Sequence, residues 1–248
     1  MAHSASVSAA LLAFLGVFLI GLSKAGFAAG LGMLSTPLMA QALPARVAIG
    51  VVLPLLCFAD LLTLGVYFRK WDGRVVLWPL VGALGGIALA TAFVTTISEL
   101  ALRRSIGGIG LVLTVLLVVR NRFHPHHVYR PAWWHGLLVG VAAGASSAIA
   151  HAAGPILALY LLAQRLDKTR FVATNGLFFT VNNLLKVPPY VATGLLDAAS
   201  LALALRYAAA VPLGIAAGWW ANRHVPQRHF DAIVAGLMVL TSLELLLH

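Results

Sequence analysis

The sequence predicts an all-α polytopic membrane protein. We expect two inverted structural repeats of about five hydrophobic segments each, or about 8–10 helices in total. The first supporting observation is composition, since 61% of the 248 residues are hydrophobic and 10% are charged, whereas soluble domains carry roughly a quarter charged residues. The second is a series of about ten apolar runs separated by short polar connections. The third is that the two halves resemble each other, and glycine and proline break one run in each half.

The apolar runs give the expected helices in chain order. The first run, 6–22, has no Lys or Arg before it, which favours a retained membrane segment over a secretory signal peptide. The run 152–162 is much shorter than the ~20 residues that a spanning helix needs, so with its predecessor it could form a hairpin that turns inside the membrane. The other runs are 25–42, 45–68, 75–94, 105–119, 134–150, 171–193, 201–220 and 230–247.

Basic residues predict the orientation of these segments. The formal net charge of +10 comes mainly from short clusters between the apolar runs, and Lys and Arg mark cytoplasmic loops. The predicted cytoplasmic connections are 69–74, 120–130, 165–170 and 222–229. The connections 43–46 and 194–200 are poor in basic residues and should face outside, which also places both termini outside. One exception is 95–104, where Arg103 and Arg104 fall on the outer side, and there we expect a short interfacial helix.

The chain repeats itself. Residues 21–37 align with 136–155, residues 68–86 with 192–218, and residues 103–117 with 230–246. An odd number of segments in each half turns the second copy upside down, which is typical of transporters that bind substrate near the bilayer midplane. We therefore divide the chain into a first repeat (1–122), a basic cytoplasmic linker (123–131) and a second repeat (132–248). The aligned pairs are Gly26 with Gly144, Pro37 with Pro155, Asp72 with Asp197, and Gly82 with Gly214.

The glycine-rich breaks are the first candidate binding elements. In the first half, "GLSKAGFAAGLGMLSTP" contains a lysine, and in the second half "GASSAIAHAAGP" contains a histidine. Interrupted helices expose backbone N–H groups and point the positive end of their dipole at a cavity, which suits an anion. Alternatively, the glycines pack helices closely and Lys24 extends to an interface. The candidate substrate-binding residues of the two breaks are Lys24, Gly26, Gly30, Gly32, Pro37, Gly144, Ser146, Ser147, His151, Gly154 and Pro155.

Polar residues of the segment 171–193 are the second group of candidates. A lysine within a membrane segment is unfavourable by roughly 2.5–3.5 kcal/mol on insertion scales, so we expect Lys186 to serve the site, or to pair with Asp60 for structural reasons. Asn182 lies four residues before Lys186 and therefore on the same helical face. Asn175, Asn182 and Asn183 could coordinate anion oxygens or bridge helices. Asp60 is a candidate for an ion pair or for proton coupling.

Several other functions find no support in the sequence. The basic clusters fit loops facing anionic lipid rather than a nucleic-acid surface. The loop sequence "HPHH" at 124–127 lacks accompanying acidic or cysteine ligands, so we predict no metal site and no cofactor. Cys57 is the only cysteine and is expected to be a small buried residue. No paired catalytic carboxylates, nucleophile elbow or phosphate-binding loop is present, and we predict that the protein is not an enzyme.

These motifs resemble the TauE/SafE (TSUP) family of sulfite and organosulfonate exporters. The resemblance rests on "GLSKAGFAAGLGMLSTPLMA" and "LPLLCFADLLTLGVYFRKWDG" in the first half, and on "GVAAGASSAIAHAAGPILALYLL" and "RFVATNGLFFTVNNLLKVPPYVATGLLD" in the second. It implies a bacterial inner-membrane transporter for anions such as sulfite, sulfoacetate or thiosulfate, with the site at the two breaks and the "NNLLK" segment. The second break has fewer glycines than such segments often have, so the side chains of Ser146, Ser147 and His151 would supply donors there.

The sequence leaves alternatives open. A carrier of another small anion, such as a carboxylate, fits the same residues, and a membrane assembly factor that transports nothing is a second class. We expect a small anionic substrate and the lipid bilayer as partners and no nucleic acid, and a homodimer is compatible with the sequence.

Overall fold

Helices are the expected product of these apolar runs, because a membrane interior offers backbone polar groups no water to bond with. The computed structural model describes residues 2–24, 31–122, 132–224 and 227–247, and within these ranges every regular element is helical. The α-helices are α1 (Ala2–Lys24), α2 (Ser35–Ala42), α3 (Ala45–Leu64), α4 (Gly73–Thr96), α5 (Glu99–Arg122), α6 (Trp133–Ala150), α7 (Gly154–Ala163), α8 (Lys168–Ala192), α9 (Ala198–Tyr207), α10 (Ala210–His224) and α11 (Gln227–Leu247). Two short 3₁₀ helices cover Leu31–Leu34 and Gly65–Tyr67. The predicted all-α fold class is confirmed.

Several helices are long and apolar enough to cross a membrane. Among the described residues α3, α4, α5 and α6 meet this description, and α9 with α10 adds a fifth span if the bent pair is counted as one. Shorter apolar helices cover Ala10–Lys24, Gly154–Ala163 and Ala232–Leu247. The chain is therefore a multi-pass integral membrane protein.

The structure corrects two details of the predicted helices. The run 201–220 is split into α9 and α10, which meet at an angle of 44°, so the described residues contain eleven α-helices rather than 8–10. The stretch 95–104 is not a separate interfacial helix, because α4 continues to Thr96 and α5 begins at Glu99. Extended backbone at Ile97 separates the two helices. The side chain of Glu99, at the start of α5, accepts a hydrogen bond from Ala45 N at the start of α3.

Aspartates begin three of the helices. Asp72 accepts from Arg74 N at 3.0 Å at the start of α4, and Asp197 accepts from Ser200 N at 2.7 Å at the start of α9. Asp167 does the same for Arg170 N at 3.0 Å in α8. Such carboxylates satisfy N–H groups that have no partner within the helix. Asp72 and Asp197, which the repeat alignment pairs, thus have the same structural role.

Glycines allow several very close helix contacts, and Gly82 and Gly214 make two of them. A Cβ added to Gly82 of α4 would lie 2.0 Å from Leu137 O of α6, and a Cβ added to Gly214 of α10 would lie 2.1 Å from Phe18 O of α1. Only glycine permits such an approach of two backbones. The sequence alignment also pairs Gly82 with Gly214, and each of these two glycines makes a close contact with another helix.

The candidate site lies where four parts of the chain meet. Helices α3 and α8 pack against each other, and α1 packs on α3 while α7 packs on α8. Lys24 is the last residue of α1 and residues 151–153 separate α6 from α7, so two helix ends point into the contact between α3 and α8. Helix ends leave backbone groups without intrahelical partners, which makes this the natural place for a polar site.

Candidate functional site

A cavity of about 290 Å³ lies between the ends of α1 and α6 and the facing sides of α3 and α8. Apolar and aromatic side chains form much of its wall, and a few polar groups converge on it, as is typical of small-molecule sites. Its polar lining consists of Ser23, Lys24, Asp60, Thr63, Tyr67, Trp71, Ser147, His151, Lys168, Asn175, Thr180 and Asn183.

Lys24 and Asp60 form an ion pair at the wall of this cavity. The side chain of Asp60 is 3% exposed and that of Lys24 is 14% exposed. Asn183 of α8 donates to the second carboxylate oxygen of Asp60 at 2.7 Å, and the ring of Phe179 lies 5.1 Å from Lys24 Nζ. A buried charge is tolerated only when it is paired and hydrogen-bonded, and here α1, α3 and α8 each contribute a partner.

Lys186 lies behind the cavity wall and contacts a different helix. It is fully buried, and it donates to Ser147 Oγ at 3.0 Å and to the Ser147 carbonyl at 3.4 Å. Asn182 donates to the same Ser147 Oγ at 2.8 Å. Both lone pairs of this hydroxyl are therefore occupied, so its own proton is free to be donated. Ser147 lines the cavity, which makes its O–H a donor available to an occupant.

The break between α6 and α7 is centred on His151. Its backbone adopts the left-handed conformation, with φ 53° and ψ 32°, which ends α6. The ring Nδ1 lies 3.1 Å from Thr36 Oγ1 in α2, so the contact joins the two halves of the chain. The ring Nε2 is buried and has no hydrogen-bond partner in the described part of the chain, although the residue lines the cavity.

The structure describes the second helix break completely and the first one only in part. In the second half α7 begins at Gly154, which lines the cavity, and its first N–H groups have no intrahelical partner. In the first half α1 ends at Lys24 and the next described element is the 3₁₀ helix from Leu31. The candidates Gly26 and Gly30 fall between these two elements and therefore lie outside the described residues. The 124–127 loop lies outside them as well.

The structure brings about half of the predicted residues to the cavity. Those that line it are Lys24, Gly32, Asp60, Ser147, His151, Gly154, Asn175 and Asn183. Asn182 and Lys186 contact the cavity only through Ser147. The expected alternative pairing of Lys186 with Asp60 is not formed, because Asp60 pairs with Lys24.

Four other predicted residues lie away from the cavity. Gly144 belongs to the contact between α6 and α4, where a Cβ would lie 2.6 Å from Ala83 O, so it packs helices as the alternative interpretation of the glycines suggested. Ser146 donates to Ala143 O at 3.2 Å within its own helix. Pro37 and Pro155 are buried in the first turns of α2 and α7, where proline suits the start of a helix because it has no N–H to leave unpaired.

Sequence reasoning missed several cavity residues. Phe179 lies four residues before Asn183 and four after Asn175, so helical spacing could have identified it as a member of the same face. Tyr67 and Trp71 follow α3, and Lys168 begins α8; nothing in the local sequence shows that these connections meet at one cavity. Thr36 could not have been found, because its contact with His151 joins residues far apart in the chain.

The cavity extends to one end of the molecule. Its lining continues from Asp60 to the half-buried Trp71 and to the exposed Lys168. A shallow groove next to it, which shares Trp71, is bordered by the basic connections 69–74 and 167–170. An anion that reaches the cavity from this end therefore passes Lys and Arg side chains, which raise its local concentration.

The opposite end carries a separate cavity of about 350 Å³, whose lining includes Arg46, Thr193 and Leu195. A Cβ added to Gly50 of α3 would lie 1.9 Å from Leu195 O, in the connection that follows α8. Arg46 donates to Val94 O at 3.3 Å and also to Ile97 O, which holds the start of α3 against the end of α4. Among the described residues, none lines both this cavity and the first one.

Comparison with known proteins agrees with the membrane fold. The family model for the sulfite exporter TauE/SafE matches residues 13–245, which is nearly the whole chain. No curated protein and no solved structure gives a significant match. A match of this extent places the chain in the sulfite exporter TauE/SafE family of membrane transporters, and the multi-pass membrane fold agrees with it.

Proposed function

We propose that the protein is a secondary transporter that exports small sulfur oxyanions or organosulfonates of the sulfite, sulfoacetate and thiosulfate class. The observation that carries this proposal is the polar lining of the cavity, where a lysine and several N–H and O–H donors converge. Family membership supports the same conclusion, because the matching family is one of sulfite exporters. Nothing in the described residues suggests ATP hydrolysis, so we assign the driving force to a gradient.

Three donors from the second half would bind the oxygens of the anion. Ser147 has a free O–H because its lone pairs are taken by Asn182 and Lys186. We assign the proton of His151 to Nε2, since Thr36 can then donate to Nδ1. The N–H groups at the start of α7 add the positive end of a helix dipole. These groups lie on one continuous stretch of chain and face one cavity.

Lys24 would supply the cation from the first half. It borders the cavity while it is paired with Asp60, and the face of Phe179 stabilises its ammonium group. An anion in the cavity would therefore share Lys24 with Asp60. Asn175 and Asn183 lie on the same face of α8 as Phe179, and Asn175 Oδ1 has no partner among the described residues, so its side chain is available to rearrange when the anion binds.

Two related halves would provide the transport cycle. The pairs α1–α10 and α4–α6 make glycine contacts of the same kind, and Asp72 and Asp197 cap corresponding helices; both observations support the inverted repeat that we infer from the sequence. The cavity reaches the end with the basic connections, which we assign to the cytoplasm. Closure of this end and opening of the cavity toward the opposite end would release the anion outside.

The function is tested by counterflow in proteoliposomes with labelled sulfite, sulfoacetate and thiosulfate. We expect saturable exchange of at least one of these anions and inhibition by the others. A panel of small carboxylates distinguishes the alternative carrier, which the apolar wall around Met33, Leu56 and Phe171 would also admit. Exchange of carboxylates alone would contradict the proposed substrate class, and no exchange of any anion would contradict transport.

A further inference from the structure

The buried charges around the cavity do not balance. We count the charged side chains that reach the inner part of the cavity or lie directly behind it in the described chain. They are two lysines, Lys24 and Lys186, and one carboxylate, Asp60. With both lysines protonated, two positive charges and one negative charge leave the inner cavity with a formal charge of +1. A surplus charge in a low-dielectric region is unfavourable, so the occupant that completes this site is one with a single negative charge.

A doubly charged anion creates the opposite imbalance. Sulfoacetate carries two negative charges at neutral pH, and in this cavity it would leave a net charge of −1. Lys24 cannot form a close ion pair with the anion while it keeps its direct ion pair with Asp60. A proton on Asp60 removes both difficulties, since it restores neutrality and frees Lys24 for the anion.

We propose that the site carries a doubly charged anion together with one proton, which is held on Asp60, and a singly charged anion without a proton. This inference rests on the proposed transport function. The proton arrives as hydronium from the solution that reaches the cavity, forms an O–H bond at Oδ1 of Asp60 and leaves a water molecule behind. The ion pair between that oxygen and Lys24 is lost, and the ammonium group keeps its protons and turns to the anion. No group is oxidised or reduced.

The structure indicates which carboxylate oxygen takes the proton. Asn183 donates to Oδ2 at 2.7 Å, and this bond remains favourable when Oδ2 becomes the carbonyl oxygen of the protonated acid. Oδ1 has the lysine as its partner, and it is the oxygen that loses its partner when Lys24 moves. The amide thus holds Asp60 in place in both protonation states.

Other titratable groups face Asp60 from the surrounding helices. Cys57 lies on α3 itself and Lys186 on α8, and both are within electrostatic range of Asp60. Tyr67 and Lys168 line the cavity toward its mouth. His151 is the rival proton acceptor, because its Nε2 lacks a partner; however, its ring lies near the positive charge of Lys186, which opposes a second positive charge.

The test measures protons and anions in the same proteoliposomes. The vesicles contain a fluorescent pH indicator, and potassium with valinomycin fixes the membrane potential. The two probes are sulfoacetate, with two charges, and methanesulfonate, with one. We expect one proton to accompany each sulfoacetate and none to accompany methanesulfonate. Movement of both anions without protons, or of both with one proton, would overturn the inference while leaving anion transport established; movement of neither would contradict the proposed function itself.

Variants assign the proton to its residue. Asp60→Asn keeps the shape and leaves Lys24 charged, so it should carry sulfoacetate without a proton and carry methanesulfonate less well than the wild type. His151→Gln should keep the coupling of one proton per sulfoacetate, and loss of coupling in this variant instead would overturn the assignment to Asp60. Glu244→Gln removes an exposed carboxylate of α11, far along the chain from the cavity lining, and is the matched control.

An equilibrium measurement covers the case in which Asp60→Asn does not fold. In purified wild-type protein, binding linked to the uptake of one proton should weaken by about tenfold for each unit of rising pH. We expect this slope for sulfoacetate and a flat profile for methanesulfonate over the pH range in which neither probe titrates. Equal slopes for the two anions would overturn the inference.

Discussion

Single residues of α8 explain how one helix serves two sides of the site. Asn175, Phe179 and Asn183 follow each other at four-residue spacing and line the cavity. Asn182, Lys186 and Tyr190 form a second row with the same spacing, and these three donate to Ser147 and Ala148 at the end of α6. Residues four apart share a helical face, so the first row lines the cavity and the second row fixes the broken end of α6.

The position of Lys186 gives a prediction for its replacement by methionine. We expect Lys186→Met to weaken anion binding by about 10–100-fold, because the lost charge and the lost bond to Ser147 correspond to about 1.4–2.8 kcal/mol. The measurement is ligand-dependent thermal stabilisation of purified protein. Because the lysine acts on the anion partly through Ser147, the double variant with Ser147→Ala should lose less than the sum of the two single effects. Additive effects would show that the two residues act separately.

His151 gives a second prediction at this scale. Asparagine tolerates the left-handed backbone of this position better than most residues, but its shorter side chain cannot place a donor where Nε2 lies. We therefore expect His151→Asn to fold with a nearly unchanged Tm and to bind the anion at least several-fold more weakly. A Tm loss comparable to that of a buried core substitution, with unchanged affinity in the folded fraction, would assign His151 a purely structural role.

At the level of helices, most of the architecture could be predicted from the sequence, but some boundaries and bends between helices could not. Hydrophobic runs located the helices because the membrane requires apolar segments of nearly helical length. The bend between α9 and α10 was missed, although Arg206 lies in the last turn of α9 and Pro212 lies in the first turn of α10, where proline suits the start of a helix. The continuity of 99–104 with α5 was missed for the opposite reason, since Arg103 and Arg104 indicated an interface although they lie within a long helix.

The candidate site could be predicted only in part, for a related reason. Glycine and proline patterns indicated the breaks, and unusual polar residues indicated α3 and α8 as the walls. The pairing of these residues depends on which helix faces which: Lys24 was found to pair with Asp60, and Lys186 with Ser147. A glycine in a pattern also does not reveal whether it unwinds a helix or packs against another one, which is why Gly144 was assigned to the site.

Helix packing gives a prediction with an internal control. A Cβ at Gly82 would lie 2.0 Å from a backbone oxygen of α6, whereas a Cβ at Gly85, three residues further along α4, meets nothing within 4 Å. We expect Gly82→Ala to destabilise the protein by about 1–3 kcal/mol, since the two helices must move apart. Gly85→Ala should leave stability unchanged or raise it slightly, because alanine favours helix. Thermal unfolding in detergent measures both, and equal effects would contradict the close contact of α4 and α6.

The N-terminus of α9 gives a prediction about pH. Hydrogen bonds from Ser200 lower the pKa of Asp197 below its ordinary value of 3.8. A carboxyl group whose pKa is lower in the folded state than in the unfolded state stabilises the protein at pH values above its unfolded-state pKa. This stabilisation is lost as the pH falls through the folded-state pKa. We expect Asp197→Ala to lower the Tm by about 2–4 °C at pH 7 and by less near pH 3. A difference that grows as the pH falls would contradict this assignment.

At the level of the whole molecule, basic and aromatic residues mark one end. The six tryptophans are Trp71, Trp78, Trp133, Trp134, Trp219 and Trp220. Each lies within or within a few residues of a basic connection, and the rings of Trp78 and Trp133 are 5.2 Å apart. Tryptophan prefers the membrane interface, and Lys and Arg prefer the cytoplasmic side. The end at which the cavity reaches the surface is therefore the end that the charge distribution assigns to the cytoplasm.

Labelling of single cysteines decides this orientation and, with it, the side from which the anion enters. In a Cys57→Ser background, Lys70→Cys lies at the basic end and Ala199→Cys lies at the opposite end, and both positions are exposed. We expect a membrane-impermeant maleimide to label Ala199→Cys in intact cells and Lys70→Cys only in inverted vesicles, because positive loops remain in the cytoplasm. The reverse pattern would place the open cavity outside, and the same geometry would then capture anions for uptake rather than for export. A cysteine in place of the cavity residue Thr63 should be labelled from the same side as Lys70→Cys, since both reach water through the same opening. Sulfoacetate should protect Thr63→Cys from the maleimide.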